Sequence, residues 1–242
     1  MNEASFPLAS PSGVFVYCDF DGTIALEDVT DTILSRLADK EWSDIEADWE
    51  RGDITSKECM ARQVALIRGG WDAVEEVLAG IRLDPSFAPF VAWCAASGIP
   101  VTVVSDGLDR VIERLLRRDG IPVSGVWANR LNGSGDRLFL TFSPPQPGQS
   151  CESGLCKCRV MSKTSPENAR RVVIGDGKSD FCWAQKAHTV FAKSKLLDFC
   201  RSRDIPCRPF HDFVSIRYAL EMMLAGDALQ GSRQPEVMHH AG

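Results

Sequence analysis

The segment VFVYCDFDGTIALED, residues 14–28, decides the fold, because it places two carboxylates directly after an apolar run. Val14 to Cys18 is short, apolar and rich in residues that favour β-structure, which predicts a central parallel strand. Asp19 and Asp21 would then lie at the carboxyl end of that strand. Two carboxylates this close repel each other, and the repulsion raises the pKa of one of them unless a cation or a proton lies between them. The segment therefore predicts a bound ligand at this strand end.

The composition is that of an ordinary globular protein, with 242 residues, 44% apolar residues and a formal net charge of −6. This length accommodates one substantial core and a small inserted module. The negative net charge argues against a nucleic-acid partner, because phosphate backbones are bound mainly by clustered Lys and Arg. The basic segment RVIERLLRRDG has apolar residues at helical spacing, and we interpret its charges as a solvated helix face.

The chain shows no sign of a membrane or secretory address. No stretch approaches the roughly 20 apolar residues that span a bilayer, so we expect no membrane partner. The first residues, MNEASFPLASPSG, lack the basic start and apolar centre of a secretory signal, which favours a cytoplasmic protein. The sequence predicts no particular oligomeric state.

Nine cysteines are scattered through the expected strands and helices, and we expect them to be reduced. Cys151, Cys156 and Cys158 form a C-x4-C-x-C cluster. We interpret these three as small buried or loop thiols, with a metal site or a disulfide as the alternative, because zinc sites normally need a fourth ligand.

Residues 30–83 carry helical periodicity only, and they interrupt a series of strands. We interpret them as an inserted helical cap whose tryptophans and Met60 form its core, or in which one of these residues lines a substrate slot. Strands alternate with helices after this block, from IPVTVVS through RRVVI, HTVFA and IPCRPF. The segments GVWANRL and RLFLTF predict an antiparallel hairpin.

This order of elements predicts the α/β fold class, with a doubly wound, mostly parallel sheet and an inserted helical cap. The predicted organisation is a core of residues 1–29 and 84–228, a cap of residues 30–83 and a flexible tail of residues 229–242.

Acidic or hydroxyl side chains follow three predicted strands at the same edge of the sheet. They are Asp19 and Asp21, Ser105 and Asp106, and Asp176 and Asp180. Two lysines, Lys157 and Lys163, lie between the second and third of these pairs. Ligands of such sheets bind at the carboxyl ends of the strands. Oxygen ligands with few histidines favour Mg²⁺ over Zn²⁺, so the sequence predicts magnesium and an anion at one edge.

The segments CDFDGT, VTVVSDG, the lysine of CKCRVM and IGDGKSD resemble, in this order, the four motifs of the haloacid dehalogenase superfamily of phosphotransferases. The resemblance covers residues 14–210 and implies a Rossmann-like core. The helical block resembles the small cap of the phosphoserine-phosphatase-like branch. CESGLCKCRVM and GDGKSDFC also resemble segments of the phosphoethanolamine/phosphocholine phosphatases and of the methionine-salvage diketo-methylthiophosphopentane phosphatases.

The resemblance implies a Mg²⁺-dependent phosphomonoesterase that hydrolyses a small phosphorylated metabolite through an aspartyl-phosphate intermediate. Asp19 corresponds to the nucleophile, and Asp21 to the general acid and base. The implied metal ligands are Asp19, the main-chain carbonyl of Asp21, and Asp176, while Asp180 orients metal-bound water or Lys157. The implied phosphate-binding residues are Gly22, Thr23, Ser105, Asp106, Gly107 and Lys157. The residues implied to face the leaving group are Glu27 and Asp28, with Asp106.

Several alternatives stay open. Lys157 matches the third motif better than Lys163, which begins a polar loop. The alternatives to hydrolysis are a phosphotransferase that uses an alcohol acceptor, a non-hydrolytic phosphoacceptor and a binding protein. The candidate substrates are a methionine-salvage intermediate, phosphocholine, phosphoethanolamine, phosphoserine and thiamine monophosphate, and likeness of fold does not choose among them.

Overall fold

A computed structural model describes residues 10–142 and 153–231 of the chain, and the strands among them form one sheet. The strands are β1 (Val14–Cys18), β2 (Val101–Leu108), β3 (Gly125–Ser134), β4 (Arg137–Thr141), β5 (Arg170–Gly175), β6 (Thr189–Ala192) and β7 (Cys207–Pro209). The α-helices are α1 (Val29–Leu37), α2 (Trp42–Arg51), α3 (Ser56–Ala65), α4 (Gly70–Leu78), α5 (Phe87–Ala96), α6 (Asp109–Arg118), α7 (Lys157–Thr164), α8 (Phe181–Ala184), α9 (Ser194–Ser202) and α10 (Phe213–Gly231). A 3₁₀ helix, Lys178–Asp180, precedes α8.

Strand β1 lies at the centre of the sheet, whose strand order is β4-β3-β2-β1-β5-β6-β7. It pairs in parallel with β2 and β5, so that Cys18 lies opposite Val103 on one side and Ile174 on the other. The neighbouring strands of this sheet are parallel except β3 and β4, which form the predicted antiparallel hairpin. The prediction of an α/β fold with a mostly parallel sheet is confirmed.

The side chains of β1 alternate between two apolar layers, which is why the whole strand is buried. Val14, Val16 and Cys18 pack on one face in a large cluster with residues of α5, α6 and α10. Phe15 and Tyr17 pack on the other face in a smaller cluster with residues of α7 and α8. Packing on both faces fixes the carboxyl end of β1 at the sheet edge.

Helices α1 to α4 lie between β1 and β2 in the chain, and two short segments connect them to the sheet. The N–H of Leu26 donates to the carbonyl oxygen of Arg82 at 3.1 Å, and the N–H of Asp84 donates to that of Ile24 at 2.8 Å. The outgoing and returning chains therefore run side by side. Gly52, with a φ of 82°, ends α2 in the left-handed conformation, after which α3 packs back against α2.

One face of α6 contacts this helical block through arginines spaced four residues apart. The contacts join Arg110 to the Trp71 ring at 3.7 Å, Arg114 to the Glu75 carboxylate at 2.8 Å, and Arg118 to the Leu78 carbonyl oxygen at 2.9 Å. These arginines keep contact with solvent, as the solvated-face interpretation predicts, but they also attach α4 to the sheet side of the molecule. This second contact could not be predicted from the sequence, because it depends on where α4 lies.

Helix α10 reaches Gly231, so helical structure enters the segment predicted as a flexible tail from residue 229. Residues 232–242 lie outside the part of the chain that the structure describes. Within the described ranges, no helix combines the length and the apolar character that crossing a membrane requires.

Candidate active site

Asp19 lies directly after β1, at the sheet edge, with 5% of its surface exposed. Its N–H donates to the carbonyl oxygen of Ile174 in β5 at 2.9 Å, so the neighbouring strand holds its main chain. Its Oδ1 atom accepts a hydrogen bond from the N–H of Phe20 at 2.7 Å, and its Oδ2 atom lies 2.7 Å from Nζ of Lys157. The protein therefore orients both carboxylate oxygens of Asp19.

Lys157 is the first residue of α7, and only 1% of its surface is exposed. Its ammonium group contacts Asp19, donates to Oδ1 of Asp180 at 2.8 Å, and lies 5.1 Å from the centre of the Trp183 ring. Burial alone would lower the pKa of Lys157, but the carboxylates of Asp180 and Asp19 raise it above its usual value. Lys163 is exposed in the last turn of the same helix. The structure therefore brings Lys157, and not Lys163, to the acids.

Asp21 and the end of β2 approach each other at a glycine. Oδ1 of Asp21 accepts from the N–H of Val29 at 2.9 Å, and a Cβ atom at position 107 would lie 2.6 Å from Oδ2 of Asp21, so Gly107 leaves room for the carboxylate. Oγ of the buried Ser105 accepts from the N–H of Gly107 at 2.9 Å, which leaves the hydroxyl hydrogen available for donation. Desolvation, followed by the charge of Asp28, raises the pKa of Asp21 well above its usual value.

The segment GDGKSD after β5 supplies two further carboxylates, which differ in their surroundings. Oδ1 of Asp176 accepts from the hydroxyl of Thr23 at 2.9 Å, and desolvation raises the pKa of Asp176. Asp180 is completely buried, and its Oδ2 accepts from the N–H groups of Asp176 and Gly177 at 3.0 and 3.1 Å. Because its Oδ1 holds Lys157, both oxygens of Asp180 are engaged by the protein, whereas Asp176 lines the cavity beside Asp19.

Carboxylate oxygens of Asp19, Asp176 and Asp180 lie within 4.8 Å of one another, close enough to hold one metal ion. This donor set contains oxygen only, so it fits a hard cation such as Mg²⁺ better than Zn²⁺. Desolvation and the charge of Asp180 raise the pKa of Asp19 well above its usual value, which indicates that Lys157 alone does not balance the negative charge. The predicted metal contact of the main-chain carbonyl of Asp21 stays a prediction.

Three predicted site residues are engaged inside the loop that follows β1. The hydroxyl of Thr23 donates to Asp176, and the N–H of Gly22 donates to the carbonyl oxygen of Glu27 at 3.3 Å. Oε2 of Glu27 accepts from the hydroxyl of Thr32 at 3.3 Å. The loop closes on itself, and these side-chain and main-chain groups are engaged by the protein. The predicted contacts of Gly22, Thr23 and Glu27 with phosphate or leaving group stay predictions.

Asp28 and Asp106 do line the cavity. Asp28 caps α1 by accepting from the N–H of Asp31 at 2.9 Å. The main-chain oxygen of Asp106 accepts from the amide of Asn129, and Oδ1 of Asp106 is buried without a hydrogen-bond partner in the described part of the chain. Desolvation raises the pKa of Asp106 to about 6. Both carboxyl groups therefore lie where a substrate would contact them.

Cys156 and Cys158 lie on either side of Lys157 and are buried, which agrees with their interpretation as small buried thiols. Their Sγ atoms are 3.3 Å apart, and both side chains pack in the cluster that contains Trp183. Cys151 lies outside the described residues. Among the described residues, Cys156 and Cys158 form no disulfide, and a metal site that includes them stays the untested alternative.

A cavity of about 930 Å³ lies between the sheet edge and the helices α2 and α3. Its cap wall includes Trp42, Glu46, Trp49, Met60 and Gln63. Trp42, Trp49 and Met60 thus line the slot, although Trp42 and Met60 also pack against the core as expected. Glu46 and Gln63 were not predicted from the sequence. A signal existed for Glu46, because residues 42, 46 and 49 share one helix face, which places an acid between two tryptophans.

Comparison with known proteins agrees with this architecture. A sequence model of the family described as haloacid dehalogenase-like hydrolase matches residues 16–185. The chain belongs to the haloacid dehalogenase-like hydrolase family. This confirms the family inferred from the four motifs, and the predicted class, a phosphoric monoester hydrolase, agrees with it.

Two relatives of this haloacid dehalogenase-like hydrolase carry the name 2-hydroxy-3-keto-5-methylthiopentenyl-1-phosphate phosphatase. The protein from Geobacillus thermodenitrificans is 30% identical over 206 residues, which cover 83% of this chain and 92% of the relative. That from Geobacillus kaustophilus is 30% identical over 213 residues, which cover 86% and 96%. A substrate-bound phosphoserine phosphatase has the same fold, with a TM-score of 0.64 and 19% identity over 84% of this chain and 96% of that one.

Proposed function

We propose that the protein is a Mg²⁺-dependent phosphatase that hydrolyses a small phosphorylated metabolite through an aspartyl-phosphate on Asp19. The observation that carries this proposal is the Asp19 carboxylate, which is held at the end of the central strand, contacts Lys157 and lines the cavity. Membership of the hydrolase family and the names of the relatives support hydrolysis of a phosphate monoester.

Asp19 would attack the phosphorus atom directly, because Lys157 and a bound cation favour its ionised form and a carboxylate then needs no general base. Lys157, 2.7 Å from Oδ2 of Asp19, stabilises the charged form in a buried site. When bound by Asp19, the main-chain carbonyl of Asp21 and Asp176, Mg²⁺ would lower the repulsion between the nucleophile and the phosphate. Asp180 orients Lys157 and the segment that carries Asp176.

Asp21 is suited to proton transfer at the leaving oxygen. Its raised pKa keeps the carboxyl group protonated at higher pH than an ordinary aspartate, so it has a proton to donate when the alcohol departs. The resulting carboxylate would then accept a proton from the water that hydrolyses the aspartyl-phosphate. Gly107 gives the Asp21 side chain the space for this position.

Ser105 and Lys157 supply the side-chain donors for the phosphoryl oxygens. The hydroxyl of Ser105 accepts from the N–H of Gly107, so its hydrogen stays available for donation to a phosphoryl oxygen. Lys157 adds the positive charge beside the nucleophile. Gly22 and Thr23 would support the site indirectly, by closing the loop and by holding Asp176.

The names of the relatives make 2-hydroxy-3-keto-5-methylthiopentenyl-1-phosphate the first substrate to test. The cavity supports this choice, because Trp42, Trp49 and Met60 form a wall suited to an apolar tail that carries a thioether. Phosphoserine, phosphocholine, phosphoethanolamine and thiamine monophosphate complete the panel. The cap helices would exclude water around the reacting groups and select among these compounds.

The test is the release of inorganic phosphate from this panel, with Mg²⁺ and with a chelator, by the wild type and by Asp19→Asn. We expect metal-dependent turnover in the wild type and a loss of kcat of about 10³-fold or more in the variant. Asp198→Asn, which removes an exposed acid from α9, is the matched control and should retain wild-type turnover. Stable labelling of Asp19 without phosphate release would favour a phosphoacceptor, and transfer to an added alcohol would favour a phosphotransferase.

A further inference from the structure

Glu46 is the acidic residue on the face of α2 that also carries Trp42 and Trp49, and all three line the cavity. Glu46 is half-buried, on the side of the cap that lines the cavity. In the described part of the chain, no lysine or arginine forms an ion pair with Glu46. A carboxylate is thus held against the substrate space without a basic side chain to neutralise it.

Gln63 of α3 holds this carboxylate in place. The Gln63 side chain is 2% exposed, and its Nε2 atom donates to Oε2 of Glu46 at 2.8 Å and to the carbonyl oxygen of Trp42 at 3.3 Å. The thiol of Cys59 approaches the same oxygen of Glu46 at 3.6 Å. Buried amides need such partners, so the pairing fixes the rotamer of Glu46. One oxygen is therefore anchored between α2 and α3, and the other remains for a ligand.

The lining of the cavity places Glu46 together with the proposed leaving-group acid. Asp21 lies at the sheet edge of this cavity, Asp28 and Asp31 lie at the start of α1, and Glu46 lies on α2. The acids therefore extend from the reacting centre to the cap. Ionised carboxylates only accept hydrogen bonds, so their complement is a donor.

We infer that Glu46, held by Gln63, selects the leaving group, and that it selects one with a hydrogen-bond donor, either a hydroxyl or an ammonium group. This inference rests on the proposed phosphatase function and adds a specificity-determining residue to it. The aromatic walls on either side of Glu46 confine the donor to the carboxylate. A site built to accept a hydrogen bond is left with an unpaired buried carboxylate when the substrate has no donor. Such a site therefore rejects a substrate without the donor far more strongly than an apolar pocket rejects a substrate of slightly different size.

Four small phosphate monoesters of similar shape test this inference. Ethyl phosphate has no donor, 2-hydroxyethyl phosphate has a hydroxyl, phosphoethanolamine has a charged donor, and phosphocholine has a charge without an N–H group. We expect the wild type to show kcat/KM at least about tenfold higher for 2-hydroxyethyl phosphate or phosphoethanolamine than for ethyl phosphate. A preference for 2-hydroxyethyl phosphate would identify a hydroxyl as the donor, and a preference for phosphoethanolamine would identify an ammonium group.

The decisive variant is Glu46→Gln, which keeps the size of the side chain and an oxygen that Gln63 can contact. It should lower kcat/KM for the preferred donor compound by about tenfold or more and change that for ethyl phosphate by less than about twofold. The effect should lie mainly in KM. Glu41→Gln removes the same charge from an exposed position at the start of α2. It should leave kcat/KM unchanged for all four phosphate monoesters. Gln63→Leu should reproduce part of the Glu46→Gln effect.

The outcomes separate the inference from the function on which it rests. An equal loss for all four compounds in Glu46→Gln would show a structural role and overturn the inference. So would a wild type that hydrolyses ethyl phosphate as well as the donor compounds. A preference for phosphocholine over phosphoethanolamine would replace donor recognition by recognition of charge. Absence of turnover for these four compounds, with phosphate release from another compound of the wider panel, would overturn the inference and leave the phosphatase function standing. Absence of turnover for the whole panel, with Mg²⁺ present, would remove the proposed function as well.

Discussion

The two walls of the cavity are built on different physical principles. On the sheet side, Asp19 and Asp180 are held by main-chain N–H groups and by a buried lysine at the ends of parallel strands. On the cap side, Glu46 is held by the buried Gln63 between α2 and α3, and α3 also packs against β4. The acids of the sheet wall are tied to the central strands, whereas the cap wall is built from side chains on two helices of the inserted block.

This difference assigns separate tasks to the two walls. Chemistry needs fixed distances, which the buried sheet edge provides. Selection needs a surface that contacts the rest of the substrate, and the cap side chains that line the cavity are placed for such contacts. Substitutions in the sheet wall should therefore reduce kcat and stability together, and substitutions in the cap wall should change KM or substrate preference alone.

The largest effect should follow from Lys157→Met, which removes the buried cation between Asp19 and Asp180. Two buried carboxylates would lose their partner, so we expect a loss of about 3 kcal/mol or more in the free energy of unfolding without Mg²⁺. We also expect kcat to fall by about 10³-fold, because the nucleophile loses its orienting charge. Urea unfolding and phosphate release measure the two quantities.

Lys163→Met is the control for this prediction, because it removes the same charge from an exposed position of α7. Its free energy of unfolding should stay within about 0.5 kcal/mol of the wild-type value. Equal effects of the two substitutions would contradict the assignment of Lys157 to the site. A stable Lys157 variant without activity would separate the catalytic role of the lysine from its structural one.

The sheet wall was largely predictable from sequence, because the carboxyl ends of parallel strands lie at the same edge of the sheet. Asp19, Ser105 and Asp176 each follow an apolar strand segment, so the alternation of strands and helices was enough to bring them together. The choice between Lys157 and Lys163 was harder, because both lie between the same two strands; Lys163, expected to begin a polar loop, lies in the last turn of α7. Their motif context favoured Lys157, and the packing of the helix start against the acids agrees with that choice.

The cap wall was not predictable in the same way. The hydrogen bond from Gln63 to Glu46 joins two helices, and no periodicity records which polar residues of two helices meet. The loop after β1 shows the same limit, because Gly22 bonds to Glu27 only once the chain has closed into a turn. Such contacts depend on tertiary geometry, whereas the strand-end acids depend on local pattern.

A smaller effect, and a sharper test of the sheet wall, comes from comparing Asp180→Asn with Asp176→Asn. In Asp180→Asn, the amide oxygen can still accept from the N–H groups of Asp176 and Gly177, but the ion pair with Lys157 is lost. We expect about 10- to 100-fold lower kcat, with the Mg²⁺ concentration for half-maximal rate changed by less than about threefold. Asp176→Asn should instead raise that concentration by about tenfold or more. Titration of activity with Mg²⁺ measures both, and a larger metal effect in Asp180→Asn would make Asp180 a ligand.

The smallest effect should come from the contact that joins the two walls, in which Nζ of Lys178 lies 5.1 Å from the centre of the Trp49 ring. Lys178 is exposed, so a cation–π contact of this kind contributes about 0.5–1 kcal/mol, which corresponds to a two- to fivefold change in an equilibrium constant. Lys178→Met should raise KM by about this factor and leave kcat and the unfolding free energy nearly unchanged. Trp49→Leu should raise KM further, because it also removes part of the cavity wall. The double variant should equal Trp49→Leu alone, because both substitutions remove one shared interaction. Steady-state kinetics of the four proteins measures this coupling. Additive losses in the double variant would mean that Lys178 acts independently of the Trp49 ring, and a fall in kcat would place the cap among the parts that fix the reacting groups.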